Sequence, residues 1–218
     1  LYAAVDMNTL PTGGRADRPS LDRTTGIELI EKLLKAGANP DMQLKLFPPH
    51  RSLRDDRGAD TLLTIGSTPL IRAAKAGDVA AIRLLLAAGA NVDLATLNGI
   101  TPLMAAAGNG SSGLDTRGRY KTEAQAVESA QLLLAAGANV NARDRSGQTA
   151  LHGAAGWGYN SFIRTLAASR ADLAAKDSQG RTAMDLTRPS TGASGREGAR
   201  QARPETEALL RELMGGAK

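Results

Sequence analysis

Gly66-Ser67-Thr68-Pro69-Leu70-Ile71-Arg72-Ala73-Ala74 is the stretch whose reading decides the fold. It returns as Gly99-Ile100-Thr101-Pro102-Leu103-Met104-Ala105-Ala106-Ala107 and as Gly147-Gln148-Thr149-Ala150-Leu151-His152-Gly153-Ala154-Ala155, then in degraded form as Gly180-Arg181-Thr182-Ala183-Met184. The threonines at 68, 101, 149 and 182 stand 33, 48 and 33 residues apart, a beat that marks stacked supersecondary units. A second motif keeps time with the first: Leu33-Leu34-Lys35-Ala36-Gly37-Ala38-Asn39-Pro40, Leu85-Leu86-Ala87-Ala88-Gly89-Ala90-Asn91-Val92 and Leu133-Leu134-Ala135-Ala136-Gly137-Ala138-Asn139-Val140.

Each unit has a physical reading. Thr68 and Thr101 are good helix N-caps, and the proline after each fits the first turn, where a missing N–H costs nothing. Paired alanines let neighbouring helices approach closely. Gly77-Asp78 breaks the first helix, and Val79, Ile82, Leu85 and Leu86 give a second helix one apolar face. Gly89 ends that helix at a left-handed position. The polar residues up to Gly99 suffice for a reversing hairpin.

These residues resemble the ankyrin repeat, with its G-x-T-P-L-h-x-A-A opening and LLL-x-x-G-A-N/D-V close. The resemblance implies one all-α solenoid over residues 1–218, with about five helix–turn–helix units joined by β-hairpin-like loops. The expected bounds are 1–61 for a partial first unit, then 62–94, 95–142, 143–175 and a divergent 176–218. Leu1-Tyr2-Ala3-Ala4-Val5 reads as a first helix without its Thr-Pro, so part of an upstream element is expected to be missing. Units one, three and five carry long insertions between their helices, around 8–25, 110–122 and 189–203. A fourth, around 44–63, lengthens the first hairpin. Insertions at one repeat position emerge on one face, and three in alternating units favour a shared edge over independent surface loops.

Composition narrows the chemistry. Apolar residues make up 42% and aromatics 3%, so the core must be packed from Ala, Leu, Ile and Val. The net charge of +5 is too small and scattered to argue for nucleic acid. With no cysteine, disulfides, thiolate nucleophiles and cysteine-based zinc sites are excluded, and two histidines exclude a multi-His metal site. No cofactor is implied, and no stretch reads as a membrane span or a signal peptide.

In the family the usual contact surface is the hairpin tips and the concave face of the first helices. Carried over by motif position, that surface comprises Lys75 in unit two; Leu97, Asn98 and Ile100 in unit three; Arg145, Ser146, Gln148 and Trp157 in unit four; and Ser178, Gln179 and Arg181 in unit five. Trp157 has two readings, a groove-facing binding hot spot or packing on neighbouring loop residues, including those of the unit-three insertion. Tyr159 is expected to pack on the preceding unit, and His152 to brace hairpin turns by hydrogen bonds. Arg170 stands where Gly37, Gly89 and Gly137 stand elsewhere, and is expected at positive φ. His50 is expected to be exposed. The Arg51–Asp60 charge run reads as a solvated loop. Gly13-Gly14-Arg15 and Gly110-Ser111-Ser112-Gly113 are weak anion nests, and Asn109-Gly110-Ser111 fits a glycosylation sequon.

No nucleophile–base pair, metal cluster or phosphate loop is in evidence, so the expectation is a non-enzymatic scaffold that binds a protein partner. The alternative is a self-assembling structural protein, a homo-oligomer or filament formed by end-to-end stacking through Ile27, Leu29, Ile30, Leu33 and Leu34. The C-terminal helix, with Ala208, Leu209, Leu210 and Leu213 toward the stack, is expected to close the other end. Nucleic-acid binding is disfavoured, because the Arg-rich insertions also carry acids.

Overall fold

A computed structural model describes residues 1–9, 24–45, 65–110, 121–188 and 202–215. The greater part of each insertion, His50, the Arg51–Asp60 run, Gly13-Gly14-Arg15 and Ser111–Gly113 fall outside these residues. The elements run α1 (Tyr2–Thr9), α2 (Gly26–Lys35), α3 (Pro69–Ala76), α4 (Val79–Ala87), α5 (Pro102–Ala107), α6 (Glu123–Ala135), α7 (Ala150–Trp157), α8 (Asn160–Ala168), a 3-10 turn (Asp185–Thr187) and α9 (Pro204–Gly215). Each helix packs on its sequence partner and on its counterparts in neighbouring pairs. The result is two layers, α1–α3–α5–α7–3-10 and α2–α4–α6–α8–α9.

The helix starts follow the motif. Thr68 Oγ1 accepts from the Ile71 N–H at 3.1 Å and Thr101 Oγ1 from that of Met104 at 3.3 Å, each followed by proline in the first turn. Second helices use their own caps: Thr25 with Glu28 and Thr122 with Gln125 form reciprocal capping boxes, and Asp78 Oδ1 accepts from the Ala81 N–H. The alanine pairs 73–74, 106–107 and 154–155 are 0% exposed and form the seam between first helices. Ile82, Leu85, Leu133, Phe162, Ile163 and Leu166 fill the space behind them.

A charged pair is buried in this seam. Arg72 Nε lies 2.5 Å from Asp6 Oδ1, with side chains 3% and 9% exposed, tying α3 to α1. Arg72 occupies the motif position held by Ala105 and Gly153 in the next two units. Gly153 in turn makes room for the Asn109 side chain, since a Cβ there would fall 2.0 Å from Asn109 Oδ1.

The hairpin-like loops reverse the chain without strands among the described residues: an isolated bridge joins Lys176 and Thr182, and turns close the loops. The last unit needs correcting. The degraded last motif forms a 3-10 turn in place of a first helix, and there Asp185 Oδ2 accepts from both the N–H and the hydroxyl of Thr182, each at 2.8 Å. On α9, Ala208 faces solvent and Thr206 is buried, its hydroxyl 2.8 Å from Asn160 Oδ1. Thr206, Leu209, Leu210 and Leu213 thus make the i, i+3, i+4, i+7 stripe toward the stack. Arg170 does adopt φ 64°, the one non-glycine residue at positive φ among those described.

Candidate recognition surface

Successive loops are stitched along one edge by main-chain hydrogen bonds. Leu97 N–H donates to Ile65 O at 3.2 Å, Arg145 N–H to Asn98 O at 3.0 Å, and Ser178 N–H to Ser146 O at 2.9 Å. Each loop is also closed on itself: Thr96 N–H donates to Ile100 O, Asp144 N–H to Gln148 O and Asp177 N–H to Arg181 O. The glycines of the motif are required here. Gly66 and Gly147 sit at φ 87° and 72°, and a Cβ would meet the next loop's backbone at 2.8 Å from Leu97 N and 2.9 Å from Ser178 N.

A second row runs beneath the first. Asp41 Oδ1 accepts from Asn91 N–H, Asp93 from Asn139 N–H, and Asn141 Oδ1 from Asp172 N–H, at 2.8–3.2 Å. Gln43 and Arg143, at matching loop positions, each span two units: Gln43 Nε2 donates to Gly66 O and Ala95 O, and Arg143 Nη1 to Gly147 O and Lys176 O. The loop edge is therefore held at three levels and its outward side chains are positioned by main chain.

Two carboxylates, Asp144 half-buried and Asp177 buried, shape the loops. Asp144 Oδ1 accepts from Ser146 and Gln148 N–H, both at 2.8 Å; burial pushes its pKa up despite those bonds. Asp177 is pushed up by burial too, but the Arg181 guanidinium at 2.7 Å and the N–H groups of Arg181 and Gln179 outweigh this and hold it below the usual range. His152 lies behind them. Its Nδ1 accepts from Thr149 N–H at 3.1 Å and its Nε2 meets Arg181 O at 3.2 Å, so it braces the next loop as expected. Burial lowers its pKa and favours the neutral ring, with Nε2 carrying the proton given to the carbonyl.

Six of the residues carried over by motif position face solvent on this edge: Leu97, Asn98, Arg145, Ser146, Ser178 and Gln179. Gln148 and Arg181 are half-buried beside them. Ile100 does not share the surface. It is 7% exposed, because its N–H is turned onto Thr96 Oγ1 and its side chain joins the core.

The first-helix ends are arranged differently. Lys75 O and Ala105 O both accept from Lys121 Nζ at 2.9 Å, Gly108 O accepts from Trp157 Nε1 at 3.0 Å, and Gly156 O from Arg203 Nε at 3.0 Å. Lys75, Gly108 and Gly156 are equivalent positions of the motif, so each receives a capping donor from the following unit. The Trp157 ring lies over Gly108, where a Cβ would approach to 2.5 Å, and stacks on Tyr159 with centroids 6.4 Å apart. Its packing is thus on the residues leading into the unit-three insertion. Asn109 is 3% exposed and donates to Thr149 O, so the sequon asparagine is buried. The sequence reading missed Lys121 and Arg203; the signal was a basic residue just ahead of the second helix in both units. A polar hollow of about 410 Å³ lies between Asn8, Asp78, Gln125 and Glu128, but its groups are already engaged with one another, with Ala81, with Thr122 and with Arg83.

Family models described as ankyrin repeats match residues 23–115 (three copies) and 133–186 (many copies), and a single ankyrin repeat matches 98–145. The chain belongs to the ankyrin-repeat family. Ankyrin repeats are generally protein–protein interaction modules, and ankyrin-repeat proteins are typically non-enzymatic. No curated protein matches this ankyrin chain. Among its described residues no helix is long and apolar enough to cross a membrane, and no group of three or more His, Asp or Glu is placed to hold a metal ion.

Proposed function

We propose that the chain is a protein-recognition scaffold that binds its partner along the loop edge, through Leu97, Asn98, Arg145, Ser146, Ser178 and Gln179, flanked by Gln148 and Arg181. One observation carries this reading: the outward side chains project from a row of loops joined one to the next by main-chain hydrogen bonds. A surface so preorganised loses little freedom on binding. The concave alternative has less to offer. Pro102–Ala107 of α5 and Ala150–Ala155 of α7 are buried throughout, and the carbonyls at their C-terminal ends are taken by Trp157, Lys121 and Arg203. Trp157 therefore serves the stack, and Lys75 gives it a main-chain carbonyl.

Affinity capture with the full chain tests this. The variant Leu97→Asp/Arg145→Glu is expected to lose the partner that the parent retains, with its fold intact by circular dichroism. Unchanged capture by that variant would remove the loop edge as the binding surface.

End-to-end self-assembly has a narrower basis. On α2, Ile30 is fully buried and Ile27, Leu33 and Leu34 are partly covered, leaving Leu29 at 38% exposure. Light scattering over a concentration series is expected to give one constant mass.

A further inference from the structure

The loop edge changes character along its length. Its earlier part carries Leu97, 56% exposed and the most exposed large apolar side chain among those described. The last two loops carry Arg143, Arg145, Lys176 and Arg181. Of the acids in those loops, Asp172 is exposed but accepts from the Ala174 N–H, and the other two turn inward. Asp177 is 1% exposed at its side chain, and Asp144 has one oxygen turned inward onto two N–H groups. Arg181 is paired with Asp177, but Arg143 bonds only carbonyl oxygens, and among the described residues no carboxylate pairs with Arg145 or Lys176.

From this we infer that the loop edge recognises an acidic, extended protein segment: an apolar residue seated at Leu97, followed by carboxylates over Arg145 and Lys176. The inference rests on the loop-edge reading above and names the class of partner. Charge complementarity of this kind fixes register and speeds encounter. Spacing follows from the stack. Packed helices lie roughly 8–10 Å apart, and an extended chain advances about 3.3 Å per residue, so one loop corresponds to about three residues of ligand. The acids should stand about three and six residues beyond the apolar one. Nucleic acid fits less well: single strands are gripped by stacking on aromatic faces, and the row from Ile65 to Arg181 contributes no exposed aromatic ring, Trp157 and Tyr159 being stacked at the opposite edge.

The test uses the full chain and fluorescence anisotropy with three probes: a peptide of one leucine followed by glutamates at that spacing, the same peptide with glutamines, and an oligothymidine. The glutamate peptide is expected to bind at least about tenfold tighter than the glutamine peptide at low salt, with the preference shrinking as salt rises. Arg145→Glu/Lys176→Glu should abolish the preference, and Lys32→Glu/Lys35→Glu, an equal charge change on exposed positions of α2, should leave it. Equal binding of the two peptides, no binding of the glutamate peptide, or tighter binding of oligothymidine lost in the same variant would each overturn the acidic-segment assignment. The two readings separate through Leu97→Asp. If it abolishes binding of both peptides while they bind the parent equally, the acidic class falls and the loop edge stands. If the glutamate peptide binds the parent and neither Leu97→Asp nor the double reversal weakens it, the loop edge itself falls.

Discussion

The two edges of this stack are held together by opposite means. Along the loops, neighbouring units meet through main-chain bonds such as Arg145 N–H to Asn98 O, repeated at each junction with whatever side chains happen to be there. At the first-helix ends they meet through particular side chains, and no two junctions use the same one: Arg72 with Asp6, Lys121 on Lys75 O, Trp157 on Gly108 O, Arg203 on Gly156 O. A repeat can vary the outward side chains of its loops, such as Leu97 and Arg145, which suits recognition. It cannot vary the other edge without loosening a junction.

Mutations that break this contrast should differ most at the buried pair. Replacing Arg72 by alanine leaves the Asp6 carboxylate without its charged partner in the seam, and should cost about 3–5 kcal/mol in urea unfolding. Trp157→Ala removes a half-buried ring and the donor to Gly108 O, and should cost about 2–3 kcal/mol by the same measurement. If it costs nothing yet lowers partner affinity, the ring belongs to recognition and the contrast fails.

Acid should sharpen it next. The folded state depresses the pKa of His152, so its contribution is complete above the ordinary value of 6.5 and is lost as pH falls through the folded value. The melting temperature should therefore decline below about pH 6.5. A His152→Gln variant, less stable at neutral pH, should show a shallower decline over that range. Arg170→Gly relieves φ 64° and should raise stability by about 1 kcal/mol. Smallest of all, Arg145→Glu and Ser178→Ala should shift stability by no more than about 0.5 kcal/mol while affecting binding.

The periodic part of this organisation was legible in the sequence, and the particular part was not. Thr68, Thr101, Pro69, Pro102 and the alanine pairs announce capped helices in close contact, because those residue types have local conformational reasons to be where they are. Arg170 was legible for the same reason, standing where glycines mark a left-handed turn. Ile100 was misplaced because motif position gives its loop, but the direction of its side chain depends on Thr96 capturing its N–H. The last motif keeps Thr182, yet the chain there makes only a 3-10 turn over Asp185–Thr187, which its residue types alone did not announce. Lys121 and Arg203 stand out only as basic residues ahead of a second helix; that they reach the previous unit, 46–47 residues earlier, depends on how the units stack. The loop-edge residues were named from the family pattern; their division into an apolar and a basic part emerged only when the coordinates showed which acids turn inward.

The Asx row under the loops has a sense of direction. At three successive junctions the earlier unit offers a side-chain oxygen and the later one an amide, from Asp41 to Asn91, Asp93 to Asn139 and Asn141 to Asp172. A copy excised whole would leave ends that still match there, with Asp93 meeting Asp172. The opposite flank would not rejoin so readily, because Trp157 would confront Lys75 in place of Gly108. Shortening or lengthening such a protein is thus limited by its idiosyncratic flank, and gene-level loss of a single copy would be tolerated only with a compensating change at that tryptophan.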